Sequence, residues 1–283
     1  MKTGLKTFNP LWLSNPGKKL KPFSLHTVQK PWTPTSSENC NSYMLLPKRS
    51  RDSIHWYSNM KNPESNYSSV ITVSLPLVLS MAATTVMDFT DRVFLANHSL
   101  DAIAAALPAG ITVFLFLTFF SGISAYMNVF IAQYKGAGAE HRIGLCLWQV
   151  IYFSILAAFL LMALSWAAKS IFEFGGHSPA IQKQEVIYFR TLCLGGGINV
   201  LGAGLATFFT GRGQTRPVMV VNIIGMLINI PLDYALINGW WVFPELGILG
   251  AALATVFSWL FIAVLYGVLI FDRENIARFD LRR

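Results

Sequence analysis

Six apolar stretches, at about residues 68–95, 103–132, 145–172, 186–210, 217–237 and 247–271, decide what this chain can fold into. Each is long enough to cross the hydrocarbon core of a bilayer, which takes roughly 20 apolar residues as a helix. No alternating pattern of about ten residues appears, so a closed β-barrel is excluded. Backbone polar groups in lipid are then satisfied only within helices. The expected fold is an all-α polytopic membrane protein, with a bundle of six transmembrane helices over residues 67–272. Composition agrees: 53% of the 283 residues are hydrophobic and 13% are charged, where a soluble domain carries roughly a quarter charged.

Residues 1–66 differ in character. They are rich in Lys, Ser, Asn and Pro, show neither helical nor strand period, and hold ten Lys and Arg against three acidic residues. That net +7 is nearly all of the chain's +8. No apolar core follows the first lysines, so the segment is not a secretory signal. It reads as a disordered basic cytoplasmic tail, as a transit-like segment, or as an upstream extension with the start at Met60. Its length fits a solvated tail without a function of its own.

The remaining basic residues alternate between the two sides. Lys135, Arg142, Arg212, Arg216, Arg273, Arg278, Arg282 and Arg283 share one side with the tail, whereas the other holds Lys183 with Arg92 and Arg190 near helix ends. Cytoplasmic loops carry the excess of Lys and Arg, so both termini are expected in the cytoplasm of a cell with this protein in its inner or plasma membrane. The basic charge is thereby an orientation signal and not a nucleic-acid face. Cys40, Cys146 and Cys193 are too scattered for a disulfide framework or a zinc site. The run Gly211-Arg-Gly-Gln-Thr215 lacks the lysine of a phosphate loop. No nucleophile–base pair or metal cluster is visible, so an enzyme is not expected.

Chemistry is sought among polar residues within the apolar stretches, because ionisable groups there are costly and by default functional. Asp88 and Asp91 lie three apart in the first stretch, and Asn229 and Asp233 four apart in the fifth, each pair on one helical face. With the tail inside, Asp91, Asp233 and the hydroxyls of Thr255 and Ser258 fall at similar depth in the outer halves of three helices. Such oxygens suit a proton or a hard cation such as Na+. Pro231, between Asn229 and Asp233, removes a helical hydrogen bond and marks a kink or hinge. Pro76 and Pro108 read the same way. Gly195, Gly196, Gly197, Gly202, Gly204, Gly225 and Gly250 read as sites of close helix approach. Met81, Met87, Met127 and Met219 are candidates to line an adaptable apolar cavity. His98, His141 and His177 are expected as solvated loop residues.

Several segments resemble the multidrug and toxic compound extrusion (MATE) transporters. They are Ser74-Leu-Pro-Leu-Val78 through Phe89-Thr-Asp-Arg-Val-Phe-Leu95, Ala132-Gln-Tyr-Lys-Gly-Ala-Gly138, Gly211-Arg-Gly-Gln-Thr-Arg-Pro217, Asn222-x6-Asn229-Ile-Pro-Leu-Asp233 and Gly250-Ala-Ala-Leu-Ala-Thr255. The likeness covers residues 67–283, and five motifs follow in order. It implies a secondary transporter with twelve helices in two lobes, exporting cationic or amphipathic small molecules in exchange for H+ or Na+, with no other cofactor. It also implies an ion site of Asp91, Asn229, Asp233 and Thr255; Asp88 and Ser258 stay secondary candidates.

The chain halts at Asp280-Leu-Arg-Arg283, where residues 273–283 read as the start of an inter-lobe linker, so helices seven to twelve are expected from a missing C-terminal lobe, a second copy or another chain. A truncated half is the first expectation. A lipid-linked oligosaccharide flippase or polysaccharide exporter of the same superfamily is a second, and a non-transporting membrane remnant a third.

Overall fold

The computed structural model describes residues 63–240 and 242–281, with side chains from Tyr67 onward except Ser69. The expected tail lies outside the described residues, save that Pro63–Asn66 already form the first helical turn. Among the described residues the regular structure is entirely helical. Six helices are long and apolar enough to cross a membrane: α1 (Pro63–His98), α2 (Leu100–Gly136), α3 (Ile143–Trp166), α4 (Pro179–Thr210), α5 (Arg216–Asn238) and α6 (Ile248–Ile270). A seventh, α7 (Arg273–Phe279), follows at once.

The six expected stretches are all present, and their differences in length have local causes. α4 begins seven residues before the hydropathy signal, because Gln182, Lys183, Gln184 and Glu185 dilute its first turns. Its start is set instead by chain chemistry: Ser178 accepts a hydrogen bond from the Ile181 amide, and Pro179 sits where a missing N–H costs nothing. Ser99 caps α2 in the same way through Ala102. α2 is interrupted at Tyr126, and the third stretch breaks at Ala167 into α3 and a short helix, Ala168–Glu173. α5 ends on Gly239 at φ 69°, the left-handed geometry that glycine tolerates best at a helix C-terminus.

α4 is the hub. It packs along α2, α3 and α6, while α1 lies along α5, and α5 along α6. Over the most apolar 18 residues of each helix, 67% are buried in α4 but only 22% in α1, so α1 is the most peripheral of the six. We call upper the end with the α1–α2, α3–α4 and α5–α6 connections, and lower the end with the α2–α3 and α4–α5 connections and α7. An upper apolar cluster centres on Leu95, Val113, Leu161, Phe189 and Ile248. A lower one centres on Ile131, Leu147, Phe208, Tyr266 and Phe279.

Glycines let α4 approach its neighbours. A methyl group on Gly195 would meet Val256 of α6, on Gly197 Ala158 of α3, and on Gly204 Val150 of α3 and Ser124 of α2. Gly202 has room, with Ile262 at 3.8 Å, so it is not a close-approach site. Between the clusters, side-chain hydrogen bonds tie helices together. Ser121 donates to Asn199 Oδ1 (3.1 Å), Thr210 to Asn128 Oδ1 (2.9 Å) and Asn222 Nδ2 to Ser80 (2.5 Å). Without a hydrophobic drive between helices in lipid, such ties and close packing hold a bundle together.

Candidate cation site

The two polar pairs read from the sequence fare differently. Asn229 and Asp233, one turn apart on α5, are both fully buried, and their common face turns into the bundle. Asp91 of α1 is also buried, at 7% exposure. Asp88 is exposed. Three residues is not a whole turn, and on a peripheral helix that offset carries Asp88 out to the lobe surface, so the expected shared face does not hold for this pair. Because α1 lies along α5, Asp91 and Asp233 come close enough for their charges to interact.

Asp91 Oδ1, both carboxylate oxygens of Asp233 and both side-chain polar atoms of Asn229 are buried without a hydrogen-bond partner. A buried polar group without a partner costs about 1–3 kcal/mol and a charged one more. Two carboxylates and an amide so arranged gather acceptor oxygens whose burial a cation would offset. Tyr188 of α4 supplies one partner: its hydroxyl donates to Asp91 Oδ2 at 3.3 Å. Sequence reasoning misses Tyr188, because an aromatic residue in an apolar stretch carries no signal; only the tertiary fold, which brings its hydroxyl to Asp91, shows it. We expect Tyr188→Phe to leave the lobe folded and to strengthen proton or cation binding at Asp91 by about tenfold or more, because the hydroxyl's hydrogen bond stabilises the free carboxylate against a bound cation. Isothermal titration of solubilised protein with Na+, or of proton uptake, checks this.

The α6 hydroxyls contribute less than expected. Thr255, half-buried, donates to Ala251 O (3.1 Å), and the fully buried Ser258 donates to Ala254 O (2.9 Å). Both hydrogens are used within α6, leaving only oxygen lone pairs. Among the described residues no hydrogen bond joins either to an aspartate. Pro231 lies on the exposed side of α5, against Leu227 and Ala235 in a shallow surface hollow with Trp240 and Phe243. No cluster of three or more His, Cys, Asp or Glu able to hold a metal occurs among the described residues.

Beside this site a groove of about 180 Å³ opens between α1, α4, α5 and α6, lined by Thr84, Met87, Asn199, Asn222, Trp259 and Tyr266 among others. The Tyr266 hydroxyl is buried there with no partner. Met87 is the one methionine of the four expected that lines the groove; Met81 is 70% exposed. His177 also departs from expectation: its Nδ1 lies 2.7 Å from Oε1 of the fully buried Glu185. Cys146 and Cys193 are buried and free, as core residues.

Six apolar spans with buried carboxylates on two of them define a multi-pass membrane protein. The MatE family model matches residues 76–235, and the chain belongs to this family of MATE transporters. It is 31% identical over 205 residues to multidrug resistance protein PmpM of Pseudomonas aeruginosa, covering 70% of this chain and 42% of that protein. Among solved structures it is similar to a MOP superfamily transporter from Pyrococcus furiosus, with TM-score 0.65, 20% identity and cover of 73% of this chain and 45% of that one. An outward-facing multidrug resistance MATE transporter matches with TM-score 0.64, 19% identity and 73% and 45% cover. The chain thus spans less than half the length of these relatives.

Proposed function

We propose that this chain is one lobe of a secondary active exporter that expels cationic or amphipathic small molecules by antiport with H+ or Na+. The observation that carries it is the set of orphaned buried oxygens on α1 and α5. A cation would offset the burial of the Asp91, Asn229 and Asp233 oxygens, and Thr255 and Ser258 offer hydroxyl oxygens at the neighbouring helix. The groove between α1, α4, α5 and α6 is the exported molecule's seat: its lining of Met, Trp and Tyr with neutral amides suits a flat amphipathic compound. That lining includes no Lys or Arg, which weighs against an exporter of anionic lipid-linked sugars.

In this reading, a cation entering Asp91 and Asp233 neutralises the charge between α1 and α5. The two helices then pack more closely, and α1 narrows the groove. The membrane potential supplies about 2.3 kcal/mol per charge per 100 mV. PmpM, a multidrug resistance protein, supports the substrate class. The test is dye efflux from proteoliposomes under imposed H+ and Na+ gradients, using a two-lobe protein that contains these residues. Gradient-independent efflux, or none, defeats the proposal.

On the excess of Lys and Arg in its loops, we read the lower end as the cytoplasmic one. A single cysteine at Gly138 in a cysteine-free background should react with a membrane-impermeant maleimide only from the cytoplasmic side. One at Gly176 should react only from outside. The reverse result overturns the orientation.

A further inference from the structure

By sequence, residues 273–283 read as the first part of a connection to whatever follows α6. In the structure, residues 271–281 are instead bound to the lower end of the lobe by contacts of four kinds. Phe279 is 1% exposed, inserted beside Phe208 with ring centroids 5.2 Å apart and edge to face. The Arg212 guanidinium lies 3.7 Å from the Phe208 ring centre and 4.9 Å from that of Phe279, so it covers the Phe208 ring and borders the Phe279 ring that packs against it. Arg278 donates through Nε and Nη2 to both oxygens of Glu140, at 2.8 and 3.2 Å. Trp148 Nε1 of α3 donates to the Leu281 carbonyl at 3.3 Å.

Two further details show a seat shaped for this segment. A side-chain carbon on Gly144 would lie 2.5 Å from the Phe279 carbonyl and 2.7 Å from that of Asp280, so only glycine admits the backbone there. Asp280 turns the chain in the left-handed region at φ 53°, which directs Leu281, 2% exposed, back onto the lobe. Arg212 itself is held from below, since Lys135 donates to its carbonyl and its own Nε donates to Phe208 O at 2.7 Å. Burial, with the nearby Arg278 charge, pushes the Arg212 pKa down to about 10. It therefore stays charged at neutral pH, as a cation over aromatic faces must.

We infer that α7 is a fixed part of this lobe, and that the pivot between the lobe and the chain that follows lies beyond Leu281 instead of at the end of α6. The inference rests on the two-lobe reading above. During transport the cytoplasmic ends of α3 and α4 and residues 271–281 move as one body. Any rocking of a second lobe is then transmitted to α3 and α4 through the Phe279–Phe208–Arg212 cluster, and not to α6 alone.

The test has two arms. In a two-lobe protein with its native cysteines replaced, Glu140→Cys and Arg278→Cys are bridged by a short bis-methanethiosulfonate that reductant removes. Ion-driven dye efflux should differ less than twofold between bridged and reduced protein. Efflux that is blocked by the bridge and restored by reductant overturns the inference, because the clasp must then open in each cycle. An unbridged protein without efflux counts against the exporter reading, and the second arm then decides the clasp. That arm is hydrogen–deuterium exchange of the 283-residue chain in nanodiscs. Amides of Ile276–Leu281 should exchange as slowly as those at the lower end of α4, and Phe279→Ala should speed them more than tenfold while amides at the centre of α4 stay protected. Exchange of Ile276–Leu281 at the rate of an open loop in the parent chain overturns the inference.

Discussion

Asp233→Asn, in a two-lobe protein carrying this lobe, is expected to cut ion-driven efflux by at least about tenfold, a loss of about 1.4 kcal/mol or more of coupling. The reason lies in the burial. Asp233 is fully buried with both oxygens unpartnered, and Asp91 is a second buried carboxylate on the neighbouring α1. In the proposed antiport a proton or Na+ is shared by the two carboxylates; the amide keeps the shape but removes one negative charge. The same change should not lower thermal stability of the cation-free lobe, because it removes a buried charge that has no partner. Efflux and melting temperature measured on one preparation separate the two effects. A substitution that leaves efflux coupled, or one that only unfolds the protein, would defeat the assignment of Asp233. Asp88→Asn serves as the internal comparison: it is exposed and leaves both buried carboxylates in place, so a smaller loss of efflux than at Asp233 is expected.

The second large effect belongs to Gly197. A methyl group there would meet Ala158 of α3, including its backbone Cα at 2.9 Å. Backbone cannot swing aside as a side chain does, so relief requires α3 and α4 to separate over their shared length. Overpacking of this kind costs about 1–3 kcal/mol for each inserted group in a tight core. Gly197→Val should therefore lower the melting temperature strongly or prevent folding, seen as aggregation in size-exclusion chromatography. Gly202→Ala, on the same helix with Ile262 at 3.8 Å, should be neutral or slightly stabilising, because alanine is the better helix former by about 1 kcal/mol. Equal effects at the two positions would mean that α4 is not the tightly packed hub.

Much of the fold is legible in the amino-acid sequence, for a physical reason that operates locally. Hydrophobic length is a property of consecutive residues, so α1, α2, α3, α5 and α6 emerge with ends off by a few residues. α4 is clipped in that reading because its first turns carry polar residues, among them Glu185, which finds one partner in His177. Residues 273–283 read as linker for the same reason. A short amphipathic segment shows no sign of docking until Gly144, Arg212 and Phe208 are brought beneath it.

The site divides in the same way. Asp91, Asn229 and Asp233 stand out as polar residues in apolar surroundings, a contrast visible along the chain. The sequence by itself determined that these groups lie within membrane helices, because hydropathy and helical period depend only on near neighbours. The tertiary structure alone decided which of them meet. It turned Asp88 outward, held the Thr255 and Ser258 hydrogens within α6, brought Tyr188 to Asp91 and seated α7 against α3 and α4. Each of those outcomes depends on how one helix rotates and packs against another, and that orientation is fixed by close contacts between residues far apart in sequence.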